Sequence, residues 1–147
     1  MHHKLIFLVF LVLITFSLQG QTDSIAASNL ELITSSSFNG FRTIDGSKPF
    51  TGIMFEYYPG TNRVEWSQTV RNGSTSYSIS KQYYPSGKVR TITNYGKAGM
   101  EHGLYQEWYE TGTIKIKGNY WKGAYRGKWI YYNEDGTVKE IRKHGKN

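Results

Sequence analysis

Cysteine is absent from the 147-residue chain. That excludes disulfides as a source of stability, excludes a thiolate metal centre, and excludes anchoring through a lipidated N-terminal cysteine. Histidine is scarce as well: of four, His2 and His3 stand at the very start, leaving His102 and His144. A zinc or iron site needs about three or four such ligands, so neither a metal nor a cofactor is expected. There is no Gly-x-Ser-x-Gly elbow, no phosphate-binding loop and no dinucleotide fingerprint. Glu101, Glu107 and Glu110 form the one acidic cluster. Paired carboxylates can hydrolyse glycosides, but Glu107 in a strand and Glu110 in a turn read more simply as cross-strand partners of Lys115 or Lys117. His102 and His144 read as turn residues at the boundaries of a repeat. The expectation is a protein without catalytic residues.

Long apolar runs are also missing. The longest, Leu5 to Ile14, is about ten residues, short of the roughly 20 that a membrane span requires. It follows the basic start His2-His3-Lys4 and precedes Thr15-Phe16-Ser17-Leu18-Gln19-Gly20, the layout of a secretory signal peptide with cleavage after Gly20. Residues 1–20 are therefore read as a signal peptide, 21–47 as a leader segment and 48–147 as the main domain. An uncleaved anchor is the alternative. In the leader, Ile25 to Ile33 fits one short helix, while Phe38 to Ile44 fits a first strand before a turn at Asp45-Gly46. Either element would pack on the apolar face of the first hairpin.

What is present is a repeat. Aromatic pairs recur as Tyr57-Tyr58, Tyr83-Tyr84, Trp108-Tyr109 and Tyr131-Tyr132, roughly 23 to 26 residues apart, a period that marks a repeated structural unit. Each pair leads into a turn with its tip at Asn62, Gly87, Gly112 or Gly136, then Arg63-Val64, Lys88-Val89, Thr113-Ile114 or Thr137-Val138. A second turn closes each unit at Gly73, Gly96, Gly123 and Gly145. Alternation between turns assigns strand faces, because successive side chains point to opposite sides. By parity one face gathers Ile53, Phe55, Tyr57, Val64, Trp66, Trp108, Ile114, Ile116, Tyr120, Trp129, Tyr131 and Val138. The other gathers Glu56, Glu65, Arg90, Glu107, Lys115, Lys117, Lys128, Lys139 and Lys143. This is the pattern of an all-β antiparallel meander with one buried and one solvated face, built from about four hairpins into an elongated, twisted sheet.

From Gly103 to Gly112 the chain reads Gly-x-Tyr-x-x-Trp-Tyr-x-x-Gly, followed by Ile114 to Gly123, and Lys48-Pro49-Phe50-Thr51-Gly52 precedes the array. These residues resemble the MORN repeat in its bacterial variant form, and proteins built this way are similar to the YwqK family of antitoxin-like proteins. The resemblance covers roughly Lys48 to Lys146, with Ser78 in place of the Gly at 103 and Asn62 in place of a turn Gly in the first units. It implies a binding scaffold, with a toxin as the partner to be neutralised.

Charge has a location. Lys115 to Asn147 holds nine cations against three carboxylates, whereas Gln21 to Ile114 holds eight of each sign. The excess of six lies in the last quarter of the chain. Lys115, Lys117, Lys128, Lys139, Arg142 and Lys143 are expected to form a basic surface that attracts an acidic partner or an anionic membrane surface, or that keeps an edge strand from pairing with other chains. Trp108, Tyr120, Trp129 and Tyr131 are expected to form the aromatic anchor. With aromatics and lysines on opposite faces, stacking and phosphate contact do not coincide, so nucleic acid is not expected. The sequence thus predicts a secreted or periplasmic non-catalytic scaffold that binds a protein. The alternative is an envelope-associated structural protein held on anionic lipid or cell-wall polymer by its basic C-terminal end.

Overall fold

The computed structural model describes residues 24–34, 39–43 and 48–145. The signal peptide, its cleavage point and the turn at Asp45-Gly46 lie outside the described residues. Eleven strands follow in order: β1 Ser24–Ala26, β2 Leu30–Thr34, β3 Asn39–Thr43, β4 Gly52–Tyr57, β5 Val64–Val70, β6 Ile79–Tyr83, β7 Val89–Tyr95, β8 Glu101–Trp108, β9 Ile114–Trp121, β10 Ala124–Tyr132 and β11 Val138–His144. From β4 to β11 each strand pairs with the next in an antiparallel meander, and β1 adds to β4 in parallel, closing a nine-stranded sheet. Strands β2 and β3 pair separately as a hairpin. The expected all-β repeat meander is the fold.

The leader does not form the helix considered for Ile25 to Ile33. That segment is β1, one 3-10 turn over Ala27–Asn29, and β2. The apolar residues there alternate rather than recurring every three or four positions, and pairing with β4 and β3 satisfies their backbone groups. The strand considered near Phe38 to Ile44 is β3. Leu30, Phe41 and Phe50 pack against Met54, Val70 and Trp66, so the leader covers the sheet at its first hairpin.

The four hairpins β4–β5, β6–β7, β8–β9 and β10–β11 carry the same irregularity. The register shifts between Glu56 and Tyr57, Gln82 and Tyr83, Glu107 and Trp108, and Tyr131 and Tyr132. Each time one extra residue stands in the returning strand: Glu65, Arg90, Lys115 or Lys139. A β-bulge of this kind places two residues opposite one and reverses the alternation beyond it. Simple parity therefore fails across every tip, and the expected faces are corrected. Trp66 lies with Glu56, to which its indole nitrogen donates at 3.2 Å, and not with Phe55. Ile114 stays with Trp108, while Ile116 crosses to the side of Glu107 and Tyr131.

The fourth unit is offset by one. Tyr57, Tyr83, Trp108 and Tyr132 are the equivalent residues, pairing with Val64, Val89, Ile114 and Val138. The equivalent of Tyr58, Tyr84 and Tyr109 is thus Asn133, not Tyr132. A hydroxyl ladder joins the units along this line: Tyr58 donates to the carbonyl of Tyr83 at 2.5 Å, Tyr84 to that of Trp108 at 2.8 Å, and Tyr109 to that of Tyr132 at 2.9 Å. Asn133 bonds Thr137 within its own turn. The tips are also tied to one another, Arg63 donating to the carbonyl of Pro85 and Lys88 to that of Glu110, both at 2.9 Å. In the first tip the left-handed residue is Gly60 rather than Asn62.

Candidate binding face

Residues that pair directly across two strands share a side of the sheet, and the register sorts the whole meander. One side holds the buried strand residues Met54, Val70, Thr91, Glu107, Gly118 and Trp129. We call it the packed face. The other, open face holds the strongly exposed Tyr57, Ile79, Leu104, Val138 and Ile141.

On the packed face the expected aromatic anchors are structural. Trp129 is 2% exposed. Its ring lies over Gly118, where a Cβ would strike it, and between Tyr105 at 5.5 Å, Tyr120 at 5.0 Å and Tyr125 at 4.4 Å between centroids. Its indole nitrogen donates to the carbonyl of Asn119 at 3.1 Å. A buried indole with its polar handle satisfied is a core residue. Tyr131 lies under Arg142, whose guanidinium is 4.7 Å from the ring centroid. Glu107 accepts from Lys115 Nζ at 2.8 Å and from the Tyr105 hydroxyl at 3.2 Å. Burial first, and the Glu107 charge second, push the Tyr105 hydroxyl well above its ordinary range. The hydrogen bond to Glu107 likewise raises Lys115. Glu110 lies in an exposed tip and lends its carbonyl to Lys88. His102 and His144 are strand residues, not turn residues, each against a ring: Trp121 at 4.5 Å and Tyr125 at 5.1 Å. Among the described residues no group of three or more His, Asp or Glu is placed to hold a metal ion.

The open face is different. Lys81, Lys117, Lys128 and Lys143 occupy it, Lys128 directly opposite Lys143. Among the described residues no carboxylate stands at a paired position of this face; Glu56, Glu107 and Glu140 all pair on the other side. Trp108 shares the open face with Lys117, so aromatics and lysines are not segregated as parity suggested. Towards its first units the face is hollowed into a cavity of about 730 Å³ lined by Ile53, Phe55, Val64, Ser67 and Tyr83 with Arg63 at its rim. Of the expected basic residues, Lys117, Lys128 and Lys143 come together here. Arg142 pairs opposite Trp129 on the packed face and is bound to Glu140 at 2.7 Å, while Lys115 and Lys139 are the extra residues of bulges. Of the expected aromatic set, only Trp108 is on the open face. The signal that would have found this grouping is the charged residue recurring just after each tip, which marks the bulge.

Bulged hairpins of equal design, joined by a hydroxyl ladder, repeat every two strands. Residues 78–97 and 101–122 match the MORN repeat variant. The match spans two adjacent units, β6–β7 and β8–β9, and the flanking hairpins continue their geometry. No curated protein and no solved structure matches the chain. The two matched repeats suggest a repeat scaffold.

Proposed function

We propose that the protein is an exported, non-catalytic scaffold that holds an acidic protein partner on its open face. The observation that carries this reading is the segregation of charge. Like charges directly opposite in a sheet are unfavourable, yet Lys128 and Lys143 stand so, with Lys117 beside them and, among the described residues, no carboxylate at a paired position of that side. Ile141 at 47% and Val138 at 54% exposure lie among them. An apolar surface ringed by unpaired cations suits a partner offering carboxylates around an apolar patch. Export rests on the N-terminal sequence. The similarity to antitoxin-like proteins suggests that the partner is a toxin which this protein neutralises.

The concentration of cations in the last quarter also favours a second reading, attachment to anionic lipid or wall polymer. Salt separates the two. Attachment by charge alone fades as ionic strength rises, whereas an interface with apolar anchors persists. Affinity capture with the C-terminally tagged mature chain from its own cells at high salt, read by mass spectrometry, should retain one stoichiometric protein, and toxicity of that protein expressed alone would make the scaffold an immunity factor. Lipid or wall polymer recovered only at low salt, with no protein at high salt, would replace the first reading by the second.

A further inference from the structure

At the end of the sheet opposite the tips, the segment from Gly96 to His102, the turn at Lys122 and the isolated Tyr77 enclose a cavity of about 470 Å³. It is separate from the hollow on the open face and from the nest around Trp129. Its size is that of a site for a large side chain and its neighbours. The walls are apolar and wet: Tyr77 is 77% exposed, Trp121 51% and Met100 42%. Lys97 and Lys122 flank it, and no carboxylate lines it. The floor is built, since Gly96 has no Cβ to strike the His102 side chain, 2.8 Å from where one would be, and His102 lies against Trp121.

A second, independent observation falls on the same place. Among the described residues four that are not glycine have left-handed backbone: Asn72, Tyr77 at φ 55°, Ala98 at 59° and Lys122 at 49°. Asparagine tolerates this region; tyrosine, alanine and lysine do not favour it. Tyr77, Ala98 and Lys122 all line the cavity. Strained backbone persists where the surrounding structure enforces it, and it gathers at binding sites. Here it turns a tyrosine and a lysine outward on either side of an apolar hollow.

We propose that this cavity binds an acidic segment of a protein partner by taking up one large apolar side chain between Tyr77, Met100 and Trp121, with Lys97 and Lys122 pairing the flanking carboxylates. It deepens the scaffold reading by naming a second contact, and it has its own test. Fluorescence anisotropy of the mature chain with a labelled Glu-rich peptide carrying one central Phe should give saturable binding. The same peptide with Gly in the centre should bind roughly tenfold more weakly, the loss expected for one partly buried ring. A Lys-rich counterpart should not bind. Trp121→Ser should abolish binding, and Lys97→Glu with Lys122→Glu should reverse the preference to the Lys-rich peptide; all three positions are exposed, so folding is preserved and checked by circular dichroism. Absence of binding to the Glu-rich peptide, or equal binding by the parent and both variants, would overturn the proposal. Trp121 shares the open side with Asn119 and Leu104, at its far end, whereas Lys128, Lys143, Val138 and Ile141, on which the open-face reading rests, are left intact by these variants. Peptide binding that depends on Trp121 alongside an empty high-salt capture would keep the cavity and remove the open-face reading.

Discussion

Adding one methyl group at Gly118 should unseat Trp129, the most deeply buried large side chain among the described residues. A Cβ there would lie 2.1 Å from Cδ2 of Trp129, 2.4 Å from Cε2 and 2.6 Å from Cε3. Carbon atoms rest at about 3.5 Å or more, so the indole would have to withdraw by more than an ångström. It has nowhere to go: Tyr105 stacks on it, Tyr120 and Tyr125 close it edge-on, and its nitrogen is tied to Asn119. Gly118→Ala therefore costs most of what deleting the ring would, about 3 kcal/mol. Trp129→Ala should cost a similar amount, and the two changes should not add. Once the ring is gone the methyl is harmless, so a double-mutant cycle should show a coupling of about 2–3 kcal/mol. Urea denaturation followed by far-ultraviolet circular dichroism, which does not depend on the tryptophan, measures all four species. A Gly118→Ala variant within about 0.5 kcal/mol of the parent, or additive costs, would refute the packing described for this nest.

Three further outcomes follow from the same geometry. Tyr84→Phe and Tyr109→Phe each remove one rung of the hydroxyl ladder; each should lower stability by about 0.5–1.5 kcal/mol, and because the rungs join different neighbours the double variant should be additive, as thermal denaturation would show. Lys122 and Gly123 form a two-residue turn with both φ positive, like Asn72 and Gly73, so Lys122→Asn should raise stability by about 0.5–1 kcal/mol in the same assay. Tyr105 and Tyr120 are both held protonated, chiefly by burial, with folded values raised above the ordinary 10.0. A raised folded value means the native state keeps a proton that the unfolded chain loses, so stability is full below pH 10 and falls as pH rises beyond it; Tyr105→Phe should make that fall shallower in denaturation curves taken across the alkaline range.

The architecture was legible because the aromatic pairs and the glycine turns recur at a regular period with alternating strands between them, which a hairpin array satisfies. The faces were not, and the reason is local. One extra residue after each tip, Glu65, Arg90, Lys115 or Lys139, reverses the alternation, so Trp66 and Ile116 change sides relative to Val64 and Ile114. Parity has no means of detecting a bulge, though the charged residue recurring at that position is its trace. The same slip placed Trp129 and Tyr131 with Trp108, which made the buried Trp129 look like a surface anchor. The offset of the last unit was hidden by a real aromatic pair, Tyr131-Tyr132, standing one residue ahead of the structural equivalent Tyr132-Asn133. That Glu107 meets a cross-strand lysine, Lys115 or Lys117, was legible; that it is Lys115 was not, because the register sets Glu107 opposite Ile116 and the extra residue of the bulge brings Lys115 to it. The cavity beside Trp121 was not legible, because it is made by left-handed backbone at Tyr77, Ala98 and Lys122, which no side-chain pattern announces.

The central claim is that the open, lysine-bearing face is the one that meets a partner, and the face-specific capture of that partner tests it most directly. The tagged mature chain would be compared at high salt with Ile141→Glu, which places a carboxylate on the open face, and Tyr125→Ser, which thins the packed face at an exposed ring. The account predicts one stoichiometric protein retained by the parent and by Tyr125→Ser and lost from Ile141→Glu. Retention by Ile141→Glu together with loss from Tyr125→Ser would contradict it and return the binding surface to the aromatic side.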